Sequence, residues 1–260
     1  MQELADGTIT VEIQDRIQIL RLNRPDKKNA LLVAMYQALV DAMKAAEADD
    51  AVRAVIITGS EECFTSGNDV MDFMTAPPSD DSSPVAQFLA ILPAFTKPLI
   101  AAVEGNAIGI GTTLLLHCDL VYAGNASKFR MPFVNLGLCP EAASSYLLPA
   151  IMGTTRASEL LLLGEVFTAD KAKEYGIINE ITDAGAALDA ALKAATTLAK
   201  QPPAALRLSK SLIRRGSAQA IAEAMKVEGQ EFMARLVSPE AAEAFSAFAE
   251  RREPNFDAFS

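Results

Sequence analysis

The chain has 260 residues, half of them hydrophobic and 22% charged, which excludes a disordered chain and leaves room for one or two domains. Its 23 Lys and Arg against 33 Asp and Glu give a net charge of −10, so it is no general nucleic-acid binder, and any polyanionic ligand must meet a local basic cluster. Three cysteines (Cys63, Cys118, Cys139) without CxxC spacing exclude an even disulfide framework and a zinc site, and one histidine, His117, excludes HExxH and His-rich metal centres.

No apolar run reaches the roughly 18 residues of a membrane span. The segment MQELADGTITVEIQD is acidic and has no apolar signal core, and DAFS is not an address of the Ser-Lys-Leu type. These features predict a soluble cytoplasmic protein without metal, nucleic-acid or membrane partners.

Residues 8–13 alternate, with Ile9, Val11 and Ile13 on one face, and predict a half-buried strand whose partner is RIQILRL at 16–22. NRPDKKNA breaks the pattern, and 32–47 reads as a helix. VRAVIITG (52–59) is a β-branched run suited to a strand buried on both faces, followed by the loop EECFTSGND and a short helix near 70–74. APPSDDSSP (76–84) predicts a mobile loop inserted before a helix at 85–94. A strand at 98–103, the loop EGNAIGIG, a helix, and strands at LVYAG and KFRMPF complete the mixed part.

From 141 onward the pattern predicts helices. Leu188, Ala191, Leu192, Ala195 and Leu198 form one apolar stripe, and Ile221, Met225, Phe232, Met233 and Leu236 another. A last helix starts at Ser238-Pro239 and runs to about Arg252. Unpartnered apolar faces on these helices predict an oligomer.

Two glycine-containing loops follow apolar strands: FTSGND and EGNAIGIG. Neither GxGxxG nor GxxxxGK is present, so the dinucleotide and P-loop readings fail. Gly109 and Gly111 allow a backbone amide at a helix start to approach a ligand, and two such amides from separate loops could hold a carbonyl oxygen as it gains charge. The same glycines also suit tight turns and close helix packing, and either loop alone leaves both readings open.

The segments NRPDKKNAL, VRAVIITGSEECFTSGND, KPLIAAVEGNAIGIG, CDLVYAG, FRMPFVNLGLCPE and TADKAKEYGIINE, in this order over nearly the whole chain, resemble the crotonase (enoyl-CoA hydratase/isomerase) superfamily. The resemblance implies an α/β fold: a spiral of ββα units over 1–200 and a C-terminal helical trimerisation region over 201–260. It implies a coenzyme A thioester substrate with no separate cofactor, and a homotrimer or dimer of trimers. It also implies an oxyanion hole made by the N–H groups of Asn68, after Ser66-Gly67, and of Ile110, after Gly109. Substrate contacts are expected from Lys28, Ala30, Ser66, Gly67, Asp69, Val70, Gly109, Phe133 and Leu136.

Hydratases of this superfamily carry two glutamates. At the matching positions this chain has Thr113 and Phe133. One carboxylate stands out instead, Glu141 in GLCPEAASSYLLP, where Pro140 suggests a helix start. An acid in a first helical turn has an ordinary role opposite the dipole. The surrounding LGLCPEAASSYLLPAIMG, however, is similar to the peroxisomal-type 3,2-enoyl-CoA isomerases, in which a glutamate at this place is the catalytic base. An apolar pocket of Ile110, Phe133, Leu136 and Leu138 would raise its pKa.

Arg24, Lys27 and Lys28 form a basic cluster open to two readings, a solvated turn or a contact to the coenzyme. Arg251, Arg252 and Phe256 resemble the family's C-terminal end, which can reach the same site. Asp69 reads as a helix N-cap, His117 as a core residue, and Cys139 as a candidate pocket residue. The alternatives are a hydratase using Glu104 or Asp69, a non-catalytic acyl-CoA-binding homologue, and, through the five basic residues of KQPPAALRLSKSLIRR, an RNA binder.

Overall fold

The computed structural model describes residues 1–75, 80 and 82–259, apart from the side chain of Phe73. The mobile loop expected at 76–84 falls largely outside these residues; at its end Ser83 and Pro84 already begin a helix.

Three strands open the chain as an antiparallel ladder: β1 (Gln2–Leu4), β2 (Ile9–Gln14) and β3 (Ile17–Leu22). Asp15 and Arg16, both at positive φ (47° and 68°), make the tight turn between β2 and β3. The polar β1 has no alternation to mark it in the sequence. Because β1 pairs only with residues 9–11, Ile13 projects beyond it at the hairpin tip and is 55% exposed, against the expectation of burial.

Helix α1 (Val33–Ala48) buries Met35, Tyr36, Leu39 and Met43. The chain then repeats one plan, a long strand in a large sheet and a short strand in a second sheet. The pairs are β4 (Ala54–Thr58) with β5 (Cys63–Thr65), β6 (Leu99–Val103) with β7 (Asn106–Ile108), and β8 (Leu120–Gly124) with β9 (Lys128–Arg130). Helices α2 (Val70–Thr75) and α3 (Pro84–Ala94) follow the first pair, and α4 (Ile110–Thr113) with a 3-10 turn at Leu114–His117 follows the second. After the third come α5 (Ser144–Met152) and α6 (Thr154–Leu163). This is the ββα repeat expected from the resemblance.

The last part holds β10 (Phe167–Thr168), α7 (Ala169–Glu174), β11 (Glu180–Thr182) and α8 (Ala187–Ala199), then α9 (Pro203–Arg214), α10 (Ala218–Leu236) and α11 (Pro239–Glu250). It is therefore not all helical: β10 and β11 are too short to show a period, and their partners come from distant sequence. The large sheet runs β1-β2-β3-β4-β6-β8-β11 and is parallel from β3 onward; the small sheet runs β10-β9-β7-β5.

The central strands are buried on both sides, as continuous apolar runs require. Val55, Ile57, Leu99, Ala101 and Val103 face the main core with α1 and α3. The alternate residues Ala54, Ile56, Ile100 and Ala102 face Ala187, Ala191 and Ala195 of α8, whose small side chains let the helix lie close to the sheet. Phe232 of α10 and Ala241 and Phe245 of α11 belong to the main core, so the C-terminal helices pack on their own chain. Among the described residues no helix is long and apolar enough to cross a membrane.

Candidate active site

The two glycine loops meet where β5 ends and α4 begins. Gly67 (φ 90°) and Gly109 (φ 58°, ψ −121°) adopt backbone conformations that a side chain disfavours. The N–H of Leu31 donates to the Gly67 carbonyl (2.8 Å) and the N–H of Asp69 to the Leu31 carbonyl (2.9 Å). In such a bridge alternate residues turn to the partner, so the Asn68 N–H faces away from Leu31. The Ile110 N–H is unpaired by geometry, standing in the first turn of α4. Neither amide donates to any described residue.

Both border one cavity of about 740 Å³, walled by Ala30, Ser66, Gly67, Asp69, Val70 and Gly109 on one side and by Phe133, Leu136, Leu138 and Glu141 on the other. Phe232, Phe245 and Phe248 from α10 and α11 complete the wall, with Arg252 and Phe256 beyond them. The structure thus brings most of the expected residues together; Lys28, Arg251 and Cys139 are not on the wall. Lys27, not Lys28, lies on the cavity. Lys28 is left-handed (φ 51°) at the end of the turn Pro25–Lys27, and its exposed side chain is carried away from the wall.

Glu141 is 8% exposed. It does not stand in the first turn of a helix, as Pro140 suggested, because Ala142 and Ala143 are both left-handed (φ 57° and 56°) and α5 starts only at Ser144. That corner turns the carboxylate into the cavity instead of along the helix. Burial pushes its carboxyl up from 4.5 to about 7; the Thr113 hydroxyl, donating to Oε1 at 3.2 Å, draws it down, and the negative charge of Glu228 draws it up. Thr113, where a hydratase glutamate would stand, thereby ties the carboxylate to helix α4, which carries Ile110 at its start.

The other expected acids are committed elsewhere. Asp69 accepts from Arg24 at 2.7 Å and from the Asp72 N–H at 3.3 Å, an N-cap to α2. The Arg24 guanidinium holds its carboxyl below the usual range. Glu104 is absent from the cavity wall and accepts from the Ala187 N–H at the start of α8 (3.0 Å), which removes it as a displaced hydratase acid. Asp69 and Glu141 are the two acids among the described lining residues.

His117 is a core residue. Burial pulls it down to about 4, so it is neutral, and its Nε2–H donates to the Ala142 carbonyl at 2.8 Å. Cys139 is not on the cavity wall; its Sγ lies 3.7 Å from the Glu228 carbonyl, and burial pushes the thiol up to about 11. In the basic segment at 200–215, Lys210 and Arg214 both pair with Asp119, while Lys200, Arg207 and Arg215 are exposed.

Four residues near the site carry no signal in the sequence. Tyr36, fully buried on α1, donates from its hydroxyl to Asn68 Oδ1 at 2.5 Å. Arg130 borders the cavity while its Nε donates to the Gly164 carbonyl. Asn135 also lines it, and Glu228 lies behind Glu141 on α10. Each is placed by long-range packing. Chemically, two free amides and a carboxyl that titrates near neutrality in a mostly apolar cavity can stabilise an enolate oxygen and move a proton beside it.

A sequence profile described as enoyl-CoA hydratase/isomerase matches residues 12–258. The chain is 35% identical over 251 residues to 2,3-dehydroadipyl-CoA hydratase of Escherichia coli, covering 95% of this chain and 98% of that one. It is also 35% identical over 250 residues to enoyl-CoA delta isomerase 2 of Rattus norvegicus, covering 94% of this chain but 64% of the longer relative. A structure of Pseudomonas aeruginosa OdaA superposes with a TM-score of 0.90 at 48% identity, over 93% of this chain and 98% of that one.

Proposed function

Because the chain belongs to the enoyl-CoA hydratase/isomerase family, we propose that it shifts the double bond of a 3-enoyl-CoA to give the 2-trans-enoyl-CoA, with Glu141 as the proton carrier. The ionised carboxylate takes a proton from the alpha carbon. Charge then spreads over a dienolate whose thioester oxygen is held by the Asn68 and Ile110 N–H groups. Glu141 returns the proton to the gamma carbon. Coenzyme A enters as part of the substrate, and no separate cofactor takes part.

The observation that carries this reading is the set of carboxylates. Hydration needs one group to activate water and another to manage the alpha proton. Here Asp69 is held in an ion pair, Thr113 and Phe133 fill the places of the hydratase glutamates, and Glu141 alone has a carboxyl raised to about 7. A second reading, hydration, draws support from the similarity to 2,3-dehydroadipyl-CoA hydratase. We place the protein in the cytoplasm as a homotrimer or a dimer of trimers; the exposed Leu208, Leu212 and Ile213 of α9 and Leu162 and Leu163 of α6 support self-association.

The test gives the purified protein a 3-enoyl-CoA and a 2-enoyl-CoA in parallel and follows the conjugated thioester absorbance. The expected result is appearance of the chromophore from the 3-isomer, with kcat lowered on the order of a hundredfold or more in Glu141→Gln and little change in KM. Loss of chromophore from the 2-isomer, surviving Glu141→Gln, would establish hydration instead. Tight acyl-CoA binding with neither change would leave a binding protein.

A further inference from the structure

Helix α5 begins without a cap of its own: Ala143, its N-cap residue, has no side chain that can accept. A carboxylate from α10 does so instead. Glu228 is 6% exposed, and its Oε2 accepts from the Ala143 N–H at 2.6 Å while Oε1 accepts from the Ser145 N–H at 2.9 Å. One amide lies within the left-handed corner that directs Glu141 into the cavity, and the other follows just after it. The same corner is held from the other side by Nε2 of His117 on the Ala142 carbonyl, and the Ser144 hydroxyl donates to the Glu141 carbonyl at 2.6 Å.

We propose that Glu228 is the positioning residue of Glu141: from a separate helix it caps α5, holds the Glu141–Ala143 corner, and keeps a negative charge behind the base. It touches neither the cavity nor the substrate and acts only through Glu141. The inference rests on the reading of Glu141 as proton carrier and adds a structural reason for the C-terminal helices to matter to turnover.

The charged and titratable groups around Glu141 come from several elements. Tyr36 of α1 is held protonated by burial and by Glu141 itself; His117 is neutral; Cys139 is a thiol. From α10 come Glu228, Glu231 and Arg235, and Arg235 is engaged with Glu240 and the Gly137 carbonyl. Glu228, when ionised, is the one whose charge acts directly on the Glu141 carboxyl, raising it; burial pushes its own carboxyl up as well, against the pull of the Ser145 and Ala143 amides.

The experiment compares wild type, Glu228→Gln and Glu228→Asp in the pH dependence of kcat on a 3-enoyl-CoA. A carboxyl-carbon NMR titration runs beside it, with the Glu141 signal assigned by its loss in Glu141→Gln. Glu228→Gln removes the charge and one acceptor. It is expected to move the Glu141 titration and the acid limb of kcat down by about half a pH unit or more, and to lower the plateau about tenfold with KM within about twofold. Glu228→Asp keeps the charge but falls short of both amides; it should leave the titration near wild type while kcat still drops several-fold. An unmoved Glu141 titration in Glu228→Gln overturns the proposal. If that variant does not fold, an unchanged kcat in Glu228→Asp overturns it. Should the wild type give no isomerase turnover while the NMR titration shifts as stated, the functional reading fails and the Glu228 assignment stands.

Discussion

Two neighbourhoods, one half-buried and one buried, treat a carboxylate in opposite ways. At Asp119 the charge is answered on all sides: Lys210 approaches at 2.6 Å, Arg214 at 2.8 Å, and the Leu99 N–H donates at 2.8 Å. These contacts fasten α9 to the start of β6. At Glu141 no cation among the described residues answers; one hydroxyl donates, and the charge that acts on the carboxyl is that of another carboxylate, Glu228. The first arrangement spends burial on holding elements together. The second leaves a carboxyl whose proton comes and goes near neutral pH, which a group shuttling protons between two carbons requires.

Breaking the first neighbourhood should give the largest effect on stability. Asp119→Ala removes the counter-charge of Lys210 and Arg214, which keep the carbonyls of Lys97 and His117, and leaves the Leu99 N–H without its acceptor; it is expected to cost about 3 kcal/mol by denaturant unfolding. A loss below about 1 kcal/mol would mean that α9 is held by its apolar contacts. The second neighbourhood should respond with the opposite sign. The folded Glu141 carboxyl, raised from 4.5 to about 7, binds its proton more tightly than in the unfolded chain. Its contribution to stability is therefore full below about 4.5, declines as pH rises, and is lost above about 7. Glu141→Gln should match wild type at pH 4 and exceed it at pH 8 by up to about 3 kcal/mol, while turnover is lost. Equal melting temperatures for the two proteins at pH 8 would show that the carboxylate is not destabilised in the fold.

The smallest effect sharpens the comparison within the site. Thr113→Val removes the hydroxyl that favours the ionised carboxylate, so the acid limb of kcat should move to higher pH by roughly half a unit, with a several-fold lower rate below pH 7. A limb that stays in place, in a protein with unchanged melting temperature, would show that Thr113 only fills space.

Much of the fold is legible along the chain. The runs AVIIT and LIAAV announce doubly buried strands, the alanine spacing of α8 announces its sheet-facing stripe, and Ser238-Pro239 announces α11. The strands β1, β5, β7, β10 and β11, each two or three residues long, are not legible, because no period can be read over so few positions and, except for β1, their partners are remote in sequence. In the site, Asn68, Ile110 and Glu141 stand in recognisable loops beside glycine or proline. Lys28 was displaced because a left-handed residue at a turn sends its side chain away from the direction that linear spacing suggests.

The sequence by itself therefore determined the class of fold, the two amide-bearing loops and the single carboxylate that departs from the hydratase pattern. Those were legible through the resemblance of ordered segments to one family, a property of residue identity at neighbouring positions with which the apolar periods and glycine placements agree. Only the tertiary structure decided that Glu104 caps a helix, that Asp69 is paired, that Thr113 reaches Glu141, and that Glu228 comes from 85 residues away to hold the corner behind it. The reason is physical: the charge state of a buried group depends on which dipoles and charges surround it, and those neighbours are assembled by folding across distances that no spacing along the chain records.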